Sequence, residues 1–453
     1  MRIIHESSMP FSAEQVFTWH ERVGAMQRLL PPWQPVRAVH QADSLAHGAS
    51  VIGLPIGLRW RAEHQVADYE RFRLFTDELA PVGSRQLPLR PLRWRHKHEV
   101  VPESANTCLM RDEVETNLPA RMVRRMLTYR HGQLAQDLTA HQRAARHGME
   151  PMVIAVTGSH GLVGTALVAF LQSGGHKVYR LVRGTARADN ERFWNPEDPD
   201  VASLAGCDAV IHLAGATIAG RFTQKHRERI RDSRIEPTRK LARAAAAAGV
   251  KTFVSASAIG VYGAHAGEKL LDEDAEHGTD FLAQTVQDWE AAAREGQAQG
   301  MRRVQVRTGL VQSPQSGVLG LLRPLYLSGL GGRIGQGQQW QSWIGLDDLV
   351  EIYHRALWDV FLEGPVNAVA PCPVRNQEYS KTLARALHRL DLLPVPTLAP
   401  KLLLGAQGAD LLALASQRVT PAKLLQRSHT FRTPHLDEAL AHCLGVQPED
   451  KAL

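Results

Sequence analysis

The chain has 453 residues, 44% of them hydrophobic and 22% charged, a globular composition that excludes disorder as the main state. That length accommodates about two to four domains. Its four cysteines, Cys108, Cys207, Cys372 and Cys443, stand far apart with no Cys-x-x-Cys pair, which argues against a zinc site or a secreted disulfide framework, and the net charge of +7 is spread along the chain.

The first residues, "MRIIHESSMPFSAEQ", lack an apolar signal-peptide core. A short strand, "RIIHESS", is predicted, then an amphipathic helix with Ser12 as N-cap and Gln15 at the capping-box position. Strand-like stretches follow: "SVIGLP", "LRWRAEHQVADY", "FRLFTDEL", "RWRHKHEVV" and "TCLMRDEVETNL". Alternation in the last puts Cys108, Met110, Asp112 and Val114 on one face. His96 and His98 likewise share a face, but two histidines without further ligands make no metal site, so a structural or solvated pair is expected. After Pro119 a long helix should run to about Ala145, with Val123, Met126, Leu127, Leu134 and Leu138 on one stripe. This order is α+β, and a curved sheet wrapped on a long helix can leave a cavity.

The runs "FTWHERVGAMQRLLPPW" and "DEVETNLP" resemble the START/Bet v1-like, polyketide-cyclase-type domains, over about the first 145 residues. The resemblance implies a helix-grip fold and an apolar ligand. A cavity filled by the domain's own side chains is the alternative.

A linker at Gly148–Pro151 introduces the most informative passage, "MVIAVTGSHGLVGTALVAFLQSGGHKVYRLVRG". The apolar run from Met152 to Thr157 reads as a buried parallel strand. Gly158, Gly161 and Gly164 follow, then a helix from Leu162 to Leu171 and a second strand from Lys177 to Val182. In such a dinucleotide-binding turn the first glycine permits the bend, the second lets the backbone approach a pyrophosphate, and the third lets helix pack on strand. The helix N-terminus offers free N–H groups to the phosphates. Gly158, Ser159, Gly161, Leu162, Val163 and Gly164 are the expected cradle. No acid occurs between Gly164 and Asp189, whereas Arg180, Arg183 and Arg187 cluster there. That favours a 2′-phosphate and hence NADP(H), with Arg183 as the main contact.

The next strand, "CDAVIHLAGA", ends in a turn at Leu213, Ala214 and Gly215 suited to the adenosine side of the cofactor, and Arg221 lies within reach of a phosphate. The densest basic run, "KHRERIRDSR", is interrupted by acids within a helical pattern, so it reads as a solvated face and implies no nucleic-acid partner. "ARAAAAAG" is a helix end stopped by Gly249. Trp340 and Trp343 are able to cover a substrate or to pack. Asp347 and Asp348 read as N-cap and first-turn acids. Arg307 suits either a substrate anion or a buried ion pair. The apolar stretch from Leu392 is broken by Pro394, Pro396, Pro400, Lys401 and Asp410, so no membrane span is expected and the protein is read as cytoplasmic.

The series "TGSHGLVG", "HLAGA", "SRIEPTRKL", "SASAIGVYG", "VRTGLV" and "GGRIGQGQQWQSWIGLDDL" resembles the extended short-chain dehydrogenase/reductase superfamily. The match is to its epimerase-like subfamily with a short helical C-terminal domain, carried here by "NAVAPCPVRNQEYSKTLARAL", "LPVP" and "QRVTPAKLLQ", from Met152 to about Leu444. Some members are named nucleotide-sugar epimerases, others cell-division inhibitors. The resemblance implies a doubly wound Rossmann sheet, with domains at 1–148, 151–366 and 367–453.

Superfamily chemistry uses a Tyr-x-x-x-Lys pair, whose lysine lowers the tyrosine pKa so that it moves a proton near neutral pH. None of the seven tyrosines here has a lysine four residues on. On the helix "FLAQTVQDWEAAA", Leu282 and Val286 fall at the pair's positions if Glu290 matches the acid that follows it. Ser257 and Tyr262 are then the candidates for catalysis, with Asp288 a further one. The expected function is an NADP(H)-binding epimerase or reductase acting on a small carbonyl or sugar-like substrate. The alternative is a regulatory protein sensing NADP(H) or a lipid-like ligand.

Overall fold

The computed structural model describes residues 1–80, 92–295, 300–391 and 393–446. They form two compact units: Met1–Arg146 and Val168–His176 with Gly445 and Val446, and His147–Leu167 with Lys177–Leu444. The end of the expected C-terminal domain, 447–453, lies outside the described residues.

The first unit opens with β1 (Arg2–Met9), α1 (Ala13–Glu21) and α2 (Ala25–Arg28). Ser12 caps α1 by accepting from the Gln15 N–H, while the Gln15 side chain accepts from the Ser12 N–H. Six strands follow: β2 (Arg37–His40), β3 (Ala49–Gly53), β4 (Arg59–His64), β5 (Leu74–Leu79), β6 (Trp94–Pro102) and β7 (Cys108–Thr116), then α3 (Ala120–Arg146). The strands form one antiparallel sheet in the order β1-β7-β6-β5-β4-β3-β2. The short, mostly exposed β2 carries no alternation by which a sequence would reveal it.

Successive strand side chains point to opposite faces, so His96, His98 and Val100 of β6 turn inward together with Cys108, Met110, Asp112 and Val114 of β7. On α3, Val123, Leu127, Leu134 and Leu138 are buried as predicted, and Met126 is partly so. Val123 and Leu127 pack with Ile3 and Val114. Phe17 and Trp19 of α1 anchor a second cluster with Phe75 and Met110.

The second unit is a doubly wound α/β fold. Its sheet begins with β8 (Val153–Thr157), followed by α4 (Leu162–Ser173), β9 (Lys177–Val182), β10 (Glu191–Phe193) and β11 (Ala209–His212). Next come α5 (Gln224–Asp232), α6 (Ile235–Ala247), β12 (Thr252–Ala258), β13 (His265–Leu271), α7 (Phe281–Ala293), β14 (Arg302–Thr308), β15 (Leu310–Gln312) and α8 (Gly317–Leu327). After them lie β16 (Trp340–Gln341), β17 (Trp343–Gly345), α9 (Leu346–Trp358) and β18 (Gly364–Ala368). All seven strands of the order β10-β9-β8-β11-β12-β14-β18 run parallel. The strand order reverses between β8 and β11, the switch point outside which such sheets bind ligands.

Residues 367–444 cluster with this sheet. They comprise β19 (Val374–Arg375), α10 (Asn376–Ala386), α11 (Leu398–Gly408), β20 (Ser416–Val419), α12 (Ala422–Gln426) and α13 (Leu436–Leu444). The segment is mainly helical, as expected. Its two short strands are additions: β20 pairs with β13 and β19 with β16. No helix among the described residues is long and apolar enough to cross a membrane.

Candidate functional site

The glycine turn sits at the switch point. Gly158 has φ +65°, and a Cβ there would meet the Leu213 carbonyl carbon at 2.8 Å and the Ala214 nitrogen at 2.9 Å. A Cβ on Gly164 would come within 2.2 Å of the Gly158 oxygen. These two glycines are therefore required by the turn itself, bringing α4 onto the strand end and the strand end against the Leu213–Ala214 turn. Gly161 meets nothing closer than 3.3 Å.

The two turns are pinned together by Thr157, the last residue of β8. Its hydroxyl accepts from the Leu213 and Ala214 N–H groups at 3.1 and 3.2 Å and lies 2.7 Å from His212 Nδ1. Burial, reinforced by Arg234, lowers His212 to a pKa of about 3, so the ring is neutral near pH 7. Arg234 itself is buried, donates to the Ile230 and Ala216 carbonyls, and lies 3.1 Å from where a Gly215 Cβ would sit. Sequence reasoning missed both residues as turn supports. Their signals were a threonine at a strand end and an arginine inside "SRIEPTRKL".

The three arginines, Arg180 within β9 and Arg183 and Arg187 beyond it, separate in the structure. Arg180 donates to the Ser159 carbonyl at 2.9 Å and braces the glycine turn from below. Arg183 and Arg187 are exposed, and Arg183 makes no hydrogen bond or ion pair among the described residues. Arg221 is also exposed.

Ser257 and Tyr262 lie in a buried network. The Ser257 hydroxyl donates to Glu290 Oε1 at 2.6 Å. Arg307 donates to both Glu290 oxygens, at 2.8 and 2.9 Å, and to the Tyr262 oxygen at 3.0 Å. Tyr262 donates to Asn367 Oδ1 at 2.7 Å, and burial pushes its pKa up to about 12 despite Arg307. Arg307 is thus the buried ion pair of the two sequence readings. Both candidate catalytic hydroxyls are hydrogen-bonded to protein partners, and neither is among the residues lining the nearby cavity.

That cavity, about 170 Å³, lies at the carboxyl ends of β12 and β14. Leu282 and Val286 line it from α7, with Thr308, Trp340 and Leu411. Asp280, also on its wall, caps α7 by accepting from Leu282 and Ala283 N–H. Asp288 is not part of the wall; its carboxylate accepts from Gln284. Arg375 and Arg418 both lie over the Trp340 ring, whereas Trp343 is fully buried and donates to the Cys372 carbonyl. Asp347 and Asp348 stand in the first turn of α9 as predicted, but Gly345 is the N-cap. Asp348 instead accepts from the Arg432 and Thr433 backbone and from the Thr433 hydroxyl.

The family model for the NAD dependent epimerase/dehydratase family matches residues 154–366, and a domain of unknown function, DUF1731, matches 395–443. An epimerase family protein of Mycobacterium leprae is 41% identical over 293 residues, which are 64% of this chain and 95% of that protein. The chain belongs to the epimerase family. Among solved structures, a nucleoside-diphosphate sugar epimerase from Corynebacterium glutamicum is 40% identical with TM-score 0.86, over 98% of this chain and 90% of that one. The human epimerase family protein, solved with NADPH, is 32% identical with TM-score 0.60, over 65% of this chain and 99% of that one. A Thermus thermophilus UDP-glucose 4-epimerase in complex with NAD, 19% identical with TM-score 0.52 over 65% of this chain and 98% of that one, shares the fold.

The first unit of this epimerase-family chain has a cavity of its own, about 480 Å³, lined mostly by apolar side chains such as Leu29, Ile52, Trp60, Phe75 and Met126. Asp77, His96 and His98 form a polar patch on its wall. Behind them Asp112 is fully buried and accepts from His98 Nδ1 at 2.7 Å. Burial alone would raise Asp112, but His98 and His96 hold it well below the usual carboxylate range.

Proposed function

We propose that the chain is an NADP(H)-binding member of its family that exchanges hydride between the nicotinamide and a small carbonyl or sugar-like substrate in the cavity at the ends of β12 and β14. The observation that carries this reading is the glycine turn locked against Leu213–Gly215 at the switch point. In this reading Gly158, Ser159, Gly161, Leu162, Val163 and Gly164 hold the pyrophosphate, and Leu213, Ala214 and Gly215 face the adenosine. Arg183, exposed beyond the end of β9, takes the 2′-phosphate, and Arg221 takes a second phosphate contact. The NADPH in the human relative supports the choice of NADP(H). The cofactor would supply the hydride. The chain's own residues bind, orient and exclude water.

Ser257 and Tyr262 enter this reading as positioning residues, holding Glu290 and Arg307 beneath the cavity. A second reading, an NADP(H)-sensing regulatory protein without turnover, is favoured by Leu282 and Val286. They put apolar surface on the cavity wall where the family resemblance leads one to expect a proton-moving pair.

For the first unit we propose a START-like helix-grip domain holding an apolar ligand, on the strength of its seven-stranded antiparallel sheet, its long helix and its cavity. A cytoplasmic location fits the four unpaired cysteines. Functional segments at 1–148, 151–366 and 367–453 complete the proposal. Stopped-flow detection of NADPH oxidation against a carbonyl panel tests the leading reading. Turnover above background supports it; bound NADPH with no oxidation by any carbonyl leaves the regulatory reading in its place.

A further inference from the structure

Pairing across three strands of the first sheet assembles a donor set that spacing along the chain does not reveal. Asp77 of β5 stands opposite His96 of β6, and Asp112 of β7 stands opposite His98. All four side chains point to the same face. Asp112, behind the pair, is hydrogen-bonded to His98 Nδ1 at 2.7 Å, and its other oxygen lies 3.3 Å from His96 Nε2. The second nitrogens therefore turn toward Asp77. Its Oδ2 lies 3.5 Å from His98 Nε2 and 4.0 Å from His96 Nδ1. One donor atom from each of Asp77, His96 and His98 falls within 4.8 Å of the others.

We propose that Asp77, His96 and His98 form a site for a divalent transition-metal ion on the wall of the 480 Å³ cavity, with Asp112 as the carboxylate that orients both rings. Three observations converge on this. Two imidazoles and one carboxylate suit zinc, iron or cobalt rather than magnesium or calcium, which prefer all-oxygen sites. A carboxylate holding the far nitrogen of a ligand histidine is the usual supporting contact, because it fixes the tautomer and ring orientation. The three donors also line a cavity, so remaining coordination positions would face space large enough for water or the polar end of an apolar guest. Ligand atoms around such an ion stand roughly 3–3.5 Å apart, from metal–ligand bonds of about 2.1 Å. The two Asp77–histidine separations of 3.5 and 4.0 Å need a contraction of up to about half an ångström, and the two rings, whose donor atoms lie within 4.8 Å, would close on the ion as it binds. His131 Nε2 lies 3.2 Å from Asp112 Oδ2 and adds a third ring on the supporting carboxylate.

The test uses the full chain, stripped with a chelator and titrated with Co²⁺, whose visible absorption reports protein nitrogen and oxygen ligands. The expected result is one Co²⁺ per chain at micromolar concentration, displaced by Zn²⁺. Asp77→Asn, on the least buried of the three donors, should weaken binding at least tenfold, and Asp112→Asn by roughly tenfold to a hundredfold. His98→Ala should abolish it; if that variant fails to fold, Asp77→Asn decides. Retained NADPH affinity in Asp77→Asn and Asp112→Asn reports that the rest of the chain is intact. No Co²⁺ bound by the folded wild type, or equal binding in wild type and Asp77→Asn, would overturn the proposal.

Discussion

The Thr157 hydroxyl and His212 Nδ1 meet at 2.7 Å across the switch point of the parallel sheet. Burial, with Arg234 nearby, disfavours the charged imidazole and lowers His212 to about 3. An unfolded chain carries this histidine near the ordinary value of about 6.5. Between those values the unfolded state binds the extra proton, so stability falls as pH falls from about 6.5 toward 3. The slope from this residue is at most about 1.4 kcal/mol per pH unit. Urea unfolding at pH 7 and pH 5 should show a loss about 2 kcal/mol smaller in His212→Asn, which keeps an acceptor without titrating. Equal losses in the two proteins would contradict the assignment.

Gly164→Ala places a methyl group 2.2 Å from the Gly158 oxygen, where backbone must move. Overpacking of this kind costs about 1–3 kcal/mol. Because the displaced atoms belong to the turn, NADPH affinity should fall more than tenfold even where the variant stays folded. Calorimetric titration reads this directly, and an unchanged affinity would mean that the turn does not touch the nucleotide.

Glu290 and Arg307 form a bidentate pair with 3% and 1% exposure. Removing one partner leaves an uncompensated buried charge, so Glu290→Gln should cost about 3–5 kcal/mol in denaturant unfolding. Tyr262→Phe, which takes a hydroxyl from Asn367 and Arg307, should cost about 1–3 kcal/mol. A drop of less than 1 kcal/mol for Glu290→Gln would show that the pair is more hydrated than its burial indicates.

The parts legible in the sequence were those encoded locally. β8, the glycine turn, α4 and β9 follow one another within about thirty residues, and an unbroken apolar run marks a strand buried on both faces. The Ser12 capping box is equally local. The absence of the Tyr/Lys pair was also readable, since Leu282 and Val286 are four residues apart on one helix. What escaped was long-range. His96 and His98 looked like an isolated pair because Asp77 and Asp112 reach them only through strand register, over gaps of 14 to 21 residues. Asp347 and Asp348 looked like caps because their partners, Thr433 and His442, arrive from more than 80 residues away. Ser257 and Tyr262 were read as reactive hydroxyls from their place in "SASAIGVYG", and their contacts with Glu290, Arg307 and Asn367 come from distant segments that a local reading does not supply.

In the proposed function, exposed Arg183 beyond β9 selects a phosphorylated nicotinamide cofactor. Calorimetric titration of wild type and Arg183→Ala with NADPH and NADH tests it most directly. NADPH is expected to bind the wild type more tightly, and the substitution to cost NADPH about 1.5–3 kcal/mol, one charge-assisted contact, while leaving NADH nearly unchanged. Equal affinity of the wild type for both cofactors would contradict it.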